Sequence, residues 1–246
     1  MSETARLWME TTFSIFYLIC VWWLVIAMFL RRGRVEENSR AAAALFLWAF
    51  VFLGIGDLGH VGFKLVALAL GGPGTSVDIF GGQLRIAAMG SLATAITFTF
   101  FYIIMIMLWR QRFKKSYGWF CYLLFASAAI RFLLMTHPSN GWNSLEAQQP
   151  WSIYRNIPLM IMQVGAAYLM LRDGVSHNDR TFIRIGALIL ASFACYAPVV
   201  FLLNRLPLIG MLMIPKTIAY LVIACIGFLK FYKKRPLQAA SAAGTS

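Results

Sequence analysis

Residues 54–64 read GIGDLGHVGFK and place charged side chains inside an apolar segment of residues 41–70. About 20 apolar residues suffice for an α-helix to cross a bilayer, so the segment predicts a membrane span. On such a helix Asp57, His60 and Lys64 are spaced i, i+3 and i+7 and share one face. A charge at membrane depth costs from ~3 to ~15 kcal/mol unless it is paired or hydrated. We therefore expect this face to point into the protein, with the other helices arranged around it.

A stripe of glycines lies next to the charged face. Gly56, Gly59 and Gly62 recur every three residues along the same predicted helix. Small residues at this spacing let a second helix approach closely. We therefore expect another helix to pack against the stripe.

The composition of the chain is that of an integral membrane protein. Of the 246 residues, 60% are hydrophobic and only 13% are charged. The net charge is +13, which in a soluble protein would suggest a nucleic-acid partner. In a membrane protein, basic loops instead lie against the anionic surface of the membrane. We therefore expect membrane lipids, and no nucleic acid, as partners.

Hydropathy predicts an all-α bundle with seven transmembrane helices, which forms a single membrane domain over residues 1–235. The glycine-rich residues 71–82 are expected to form a flexible link. A low-complexity tail over residues 236–246 is expected to be disordered. The predicted spans are about 12–30, 43–68, 86–108, 118–136, 152–171, 182–204 and 208–230.

The basic residues are distributed unevenly between the two predicted sides of the membrane. Fifteen of the 22 follow or flank the odd-numbered spans. Because cytoplasmic loops are enriched in Lys and Arg, this predicts an N-terminus outside and a C-terminus in the cytoplasm. The fifteen are Arg31, Arg32, Arg34, Arg40, Arg110, Arg112, Lys114, Lys115, Arg172, Arg180, Arg184, Lys230, Lys233, Lys234 and Arg235.

The other basic residues predict a polar chamber in the outer half of the bundle. Arg131 and Lys216 have apolar neighbours on both sides, and Asp57 is the only acidic residue expected inside a span. The surplus of positive charge favours a small anionic or amphipathic ligand. The predicted ligand-binding residues are Asp57, His60, Lys64, Arg131, Arg155, Asn156, Tyr196, Lys216 and Tyr220.

Few catalytic or metal-binding patterns are present. The three histidines fall in different segments, and no HExxH, CxxC, GxSxG or Walker motif occurs, so we expect no metal site. An Asp57–His60 dyad could support acid–base chemistry in a lipid-modifying intramembrane enzyme, but a structural ion pair is the preferred interpretation. No catalytic residue is therefore assigned.

The chain resembles the microbial rhodopsins in its topology. The resemblance rests on seven spans, the lone Lys216 in the last span, Arg85 at the start of span three, and an aromatic and proline pattern in span six, Phe193, Tyr196, Pro198 and Val199. It implies retinal bound to Lys216 as a Schiff base. The carboxylates that the family carries in spans three and seven are replaced by Ala88 and Leu212, which leaves Asp57 as the counterion.

Three segments are similar to bacterial seven-span membrane proteins of unassigned function. They read GDLGHVGFK (56–64), IYRNIP (153–158) and MLMIPKTIAY (211–220). The resemblance implies one shared site but supplies no activity. Its residues would be Asp57, His60, Lys64, Arg155, Asn156, Pro215 and Lys216.

The leading functional prediction is a receptor- or transporter-like protein that binds its ligand in the outward-facing chamber. A retinal-binding photoactive protein and a lipid-modifying enzyme are the alternatives. No enzymatic activity and no cofactor are expected under the leading prediction, and the protein is expected in the bacterial cytoplasmic (inner) membrane. A homo-oligomer is left open.

Overall fold

The computed structural model describes residues 3–72, 74–79, 82–144 and 148–233. This part of the chain is almost entirely helical, and each predicted span overlaps one α-helix. The predicted tail lies outside the described residues, as do the last two residues of the predicted membrane domain. The helices are α1 (Glu3–Arg31), α2 (Arg40–Ala69), α3 (Ile86–Phe113), α4 (Trp119–Thr136), α5 (Trp151–Ser176), α6 (Arg180–Leu202) and α7 (Met213–Phe231).

Six of the seven α-helices in the described part of the chain are long and apolar enough to cross a membrane. Together they indicate an integral membrane protein. Helix α5 is the exception, because its 26 residues combine the charged Arg155, Arg172 and Asp173 with other polar residues and are less apolar than those of the other helices. It also buries the polar side chain of Gln163. The prediction of an all-α membrane-type fold is therefore confirmed, whereas α5 as a seventh span stays a prediction.

Short connections gather the predicted basic segments at one end of the bundle, which we call the basic end. Residues 32–39, 114–118 and 177–179 join α1 to α2, α3 to α4 and α5 to α6. Side chains tie the helices together there. Arg112 forms an ion pair of 2.8 Å with Asp179, and Tyr232 Oη donates to the backbone oxygen of Ala43 at 2.7 Å.

The opposite end carries a small β-hairpin where the sequence predicts a flexible link. Strands β1 (Ser76–Ile79) and β2 (Gly82–Arg85) pair in antiparallel register. Asn143 in the α4–α5 connection anchors the hairpin, since its Nδ2 donates to Gln83 O at 2.9 Å and its Oδ1 accepts from Arg85 N at 3.2 Å. Backbone pairing and this anchor hold the two strands together despite the neighbouring glycines.

Helices α2 and α3 are in backbone contact through glycines. A Cβ atom on Gly90 would lie 2.8 Å from Gly59 O and 2.9 Å from His60 Cα, and a Cβ atom on Gly56 would overlap Thr97. Thr94 Oγ1 donates to Gly56 O at 2.8 Å. The predicted close approach is thus confirmed at Gly56 and Gly59, whereas a Cβ on Gly62 would meet nothing within 4 Å.

Aromatic side chains fill the interior between α2, α3 and α7. The rings of Phe50 and Phe101 meet edge to face with centroids 5.6 Å apart, and the Phe46 ring packs where Gly227 leaves room. Helix α1 packs between α2 and α7 at the edge of this core. It is sparsely covered, because it exposes many large apolar side chains, including Phe16, Ile19, Trp23, Ile26, Phe29 and Leu30.

Candidate functional site

A cavity of about 410 Å³ opens at the end of the bundle opposite the basic end, between α1, α2, α3 and α7. Its walls include the last turns of α2 and the segment that leads into α7. Five of the nine predicted ligand-binding residues line it, namely Asp57, His60, Lys64, Lys216 and Tyr220. The shared face of α2 predicted from residue spacing therefore does point into one chamber.

The deep part of the cavity holds a carboxylate and an ammonium group. Tyr17 Oη donates to Asp57 Oδ2 at 2.9 Å, which fixes the carboxylate against α1. Lys216 is buried in the first turn of α7 and interacts electrostatically with Asp57. Its Nζ lies 4.7 Å from the centroid of the Phe98 ring and 4.3 Å from that of Tyr196. Aromatic faces attract cations, so the two rings help to hold the lysine charge inside the bundle.

The mouth of the cavity combines charge with apolar surface. His60 and Lys64 are exposed there, and His60 lies within electrostatic range of both Lys64 and Lys216. The apolar part of the wall comes from Phe13, Leu53, Val61, Leu65, Leu68, Phe98, Leu203, Met213 and Ile214. Such a wall suits a molecule that has a polar head and an apolar body.

Helix α1 contributes lining residues that the sequence prediction missed. Glu10, Ser14 and Tyr17 face the cavity and are spaced i, i+4 and i+7, the signal that could have identified them. Asp57 is therefore not the only acidic residue within a candidate span. The cavity wall carries two acidic residues, Glu10 and Asp57, and two lysines, Lys64 and Lys216. It therefore lacks the predicted surplus of positive charge.

The other four predicted residues form a separate group, which we call the arginine cluster: Arg131, Arg155, Asn156 and Tyr196. Arg131 Nη1 donates to Arg155 O at 2.8 Å and to Asn156 Oδ1 at 3.2 Å. Tyr196 Oη donates to the same Asn156 oxygen at 3.0 Å. The cluster joins α4, α5 and α6, and none of its members lines the cavity. The structure thus divides the predicted chamber into two sites.

The Tyr196 ring stands between the two sites, because Lys216 lies against its face while its hydroxyl belongs to the arginine cluster. A buried tyrosine network continues from the cavity in another direction. Tyr220 Oη is hydrogen-bonded to Tyr102 Oη and accepts from Gln163 Nε2 at 3.3 Å. Polar contacts therefore connect the cavity to α3, α5 and α6.

Asp57 and His60, the two residues of the catalytic alternative, both line the cavity. The hydrogen bond recorded for Asp57 comes from Tyr17, and within the described residues none joins Asp57 to His60. Nor does the described part of the chain bring three or more His, Cys, Asp or Glu side chains together as a metal-binding group. A lipid-modifying activity stays a prediction.

No family model matches this chain, and no curated protein or solved structure matches it either. The resemblances to microbial rhodopsins and to bacterial seven-span proteins therefore stay predictions.

Proposed function

We propose that the protein is a receptor- or transporter-like membrane protein that binds a small amphipathic molecule in the cavity. The observation that carries this proposal is the position of Lys64 and Lys216 in one cavity whose mouth is largely apolar. The acidic head of the ligand would lie between the two ammonium groups, beside His60. Its apolar body would lie against Val61, Leu65 and the other apolar residues of the mouth.

The acidic residues of the cavity narrow the class of ligand. Asp57 already accepts a hydrogen bond from Tyr17 and faces Lys216. Because Glu10 adds a second carboxylate to the wall, a bare anion would meet like charge on one side. A head group that carries a hydroxyl or amine donor next to its acidic group can bind both the lysines and the carboxylates of the wall. We therefore favour an amphipathic acid of this kind over an inorganic anion.

Binding linked to sensing is favoured over transport by the packing below the cavity. Lys216 and Tyr220 form its deep wall, and the interior toward the basic end is filled by Phe46, Phe50 and Phe101. A transporter needs a second state in which the ligand reaches the other side, and these rings would have to separate to create one.

We also propose that the cavity opens to the outside, with the N-terminus outside and the C-terminus in the cytoplasm of a bacterial inner membrane. The support is the concentration of Lys and Arg at the basic end. A C-terminal fluorescent protein that folds only in the cytoplasm should be bright, and a C-terminal alkaline phosphatase should be inactive. The reverse pattern would turn the cavity toward the cytoplasm.

The binding proposal is tested with 2-hydroxyhexanoate, an acid with a neighbouring hydroxyl and a short apolar chain, against protein in nanodiscs. Saturable broadening of its carboxyl ¹³C resonance is expected, and empty nanodiscs provide the blank. Lys64→Gln and Lys216→Gln should each weaken binding ~10-fold or more, since hydrogen bonds to charged groups contribute ~1.5–3 kcal/mol.

The matched control is Arg205→Gln, which removes an exposed cation outside the cavity and should bind normally. The diol 1,2-hexanediol keeps the chain and hydroxyl but lacks the acid, and it should not compete. Equal, mild losses in all three variants would contradict the proposal.

The retinal alternative has one specific observation in its favour. Lys216 presents its amine between two aromatic rings in the cavity that also holds Asp57. An aldehyde could form an imine with Lys216 Nζ and release water. Protein expressed with all-trans retinal would then absorb visible light and gain a mass adduct that Lys216→Ala loses. A colourless protein of unmodified mass would exclude this alternative.

A further inference from the structure

Arg131 carries a buried positive charge that is paired with no acidic side chain of the described residues. It is 2% exposed and lies five residues before the end of α4. Within the described residues, its hydrogen bonds go to a backbone oxygen and an amide oxygen, and no carboxylate lies within ion-pair distance. An arginine does not lose its proton in a protein, so its charge has to be compensated where it lies.

Nearby cations add to this charge. Arg155 acts electrostatically on Arg131, and Arg131 acts on Lys216. Asp57 lines the cavity, outside the cluster, and already accepts from Tyr17. Buried charges in proteins are paired with opposite charge, and an unpaired one is strongly destabilising. Among the described residues, the arginine cluster therefore has no anion.

One edge of the Arg131 guanidinium is available to bind such an anion. Both recorded hydrogen bonds use Nη1. Nε is buried and has no hydrogen-bond partner, and Nη2 donates to none of the described residues. The N–H groups of Nε and Nη2 are parallel, and this pair matches the two oxygens of a carboxylate.

The neighbouring residues indicate where a ligand would enter. Arg155 is half-buried at the end of the bundle opposite the basic end. Its Nη1 donates to Asn140 Oδ1 at 3.3 Å, and its guanidinium lies 4.2 Å from the centroid of the Trp142 ring. The α4–α5 connection thus holds a second cation next to Arg131, where we expect a ligand to enter.

We propose that the arginine cluster is a second binding site, separate from the cavity, that holds the carboxylate group of a small organic acid against the Nε and Nη2 edge of Arg131. The site does not depend on the ligand of the cavity, since the cluster and the cavity share no lining residue. One residue of this chain could compete for the same edge. Glu146 lies in residues 145–147 of the α4–α5 connection, outside the described residues.

Formate is the probe, because it is the smallest carboxylate and the site is buried. It is titrated as [¹³C]formate against protein in nanodiscs, with empty nanodiscs as the blank. Sodium isethionate, a bulky sulfonate, holds the ionic strength constant. We expect saturable broadening of the formate resonance together with a saturable rise in the melting temperature, since a ligand that binds only the folded state stabilises it.

Arg131→Lys is the decisive variant, because it keeps the charge but removes the parallel pair of donors. Its formate affinity should fall at least ~10-fold, the loss expected for one charge-assisted hydrogen bond. Arg205→Gln is the matched arginine control, and Lys64→Gln is the control for the cavity. Both should bind formate as the unmodified protein does.

Three results would overturn the proposal. The first is no saturable response in the unmodified protein. The second is a response that Glu146→Gln gains and the unmodified protein lacks, because Glu146 would then be the partner of Arg131. The third is a response that survives Arg131→Lys and disappears in Lys64→Gln, because formate would then bind in the cavity.

Discussion

Lys216 Nζ lies 4.3 Å from the centroid of the Tyr196 ring, so one tyrosine separates the cavity lysine from the buried Arg131. The ring face contacts one cation, while the hydroxyl donates to the Asn156 oxygen that also accepts from the other. Two positive charges are thereby kept in the bundle without touching. The arrangement makes Tyr196 the boundary between the two sites.

Asp57 and Lys216 should be energetically coupled. Lys216→Met removes the buried ammonium group that faces the partly buried Asp57 carboxylate. It should destabilise the protein by ~3 kcal/mol, because the carboxylate is left without its compensating charge. The double variant Asp57→Asn/Lys216→Met should recover ~1–3 kcal/mol of the summed single losses. Thermal unfolding in detergent measures the stability of the two single variants and of the double variant. Strictly additive losses would show that the two groups do not interact.

Tyr17→Phe should weaken the attachment of α1 to the bundle. The change removes the 2.9 Å hydrogen bond to Asp57 and should lower the free energy of unfolding by ~1.5–3 kcal/mol. Tyr122→Phe is the matched control, because Tyr122 is 62% exposed and should change stability by less than ~0.5 kcal/mol. Equal melting temperatures for the two variants would contradict the role of Tyr17.

Gly90→Ala should disrupt the contact between α2 and α3. The new methyl group would lie 2.8 Å from Gly59 O, so the backbone of one helix must shift. The free energy of unfolding should fall by ~1–3 kcal/mol. Gly62→Ala adds the same methyl group to α2 where nothing lies within 4 Å. It should be neutral or slightly stabilising, because alanine favours helix. Gly90→Ala should therefore lower the melting temperature, whereas Gly62→Ala should leave it unchanged or raise it slightly.

Asp179 should make stability depend on acid pH at the basic end. Burial raises the pKa of Asp179, but the hydrogen bond from Arg112 and nearby positive charge outweigh it and hold the pKa below its ordinary value of 3.8. The carboxylate also accepts from Thr181 N and Phe182 N at the start of α6. Because the folded pKa is depressed, this stabilisation is present above pH 3.8 and is lost as pH falls through the folded value.

Asp179→Asn should therefore destabilise the protein at neutral pH by about 1 kcal/mol. The effect is modest because Arg112 is 35% exposed and solvent screens the pair. The difference from the unmodified protein should vanish in a pH series of melting curves that extends below pH 3.8. Asp78→Asn changes an exposed carboxylate on β1 and should have no such effect.

Most of the fold followed from apolar segment lengths, whereas parts of it depended on contacts that a sequence does not display. Helix α1 begins at Glu3, whereas the predicted span begins near residue 12. Hydropathy marks only the apolar part of a helix and not the polar turns before it, and this is why Glu10 was missed. The hairpin at β1 and β2 was missed because glycines suggested a link and gave no indication of the anchor at Asn143.

The candidate site was predicted in part for a similar reason. Residue spacing along α2 placed Asp57, His60 and Lys64 on one face, and they do share a cavity. Depth along a helix, however, does not reveal how that helix is rotated about its own axis. Lys216 lies in the cavity against the face of the Tyr196 ring, whereas Arg131 lies at the hydroxyl end of that ring and is bonded to Arg155 and Asn156. One predicted chamber therefore became two groups of residues.

The backbone contact between α2 and α3 has a mechanical consequence for the cavity. Because Gly56, Gly59 and Gly90 bring the two backbones into contact, we expect these helices to move together rather than to separate at the mouth. Widening of the mouth would then fall to α1, which meets the protein on one side and presents a broad apolar surface on the other. Lipid packing would press directly on a wall of the cavity, so bilayer thickness and lateral pressure should alter the affinity for the proposed ligand.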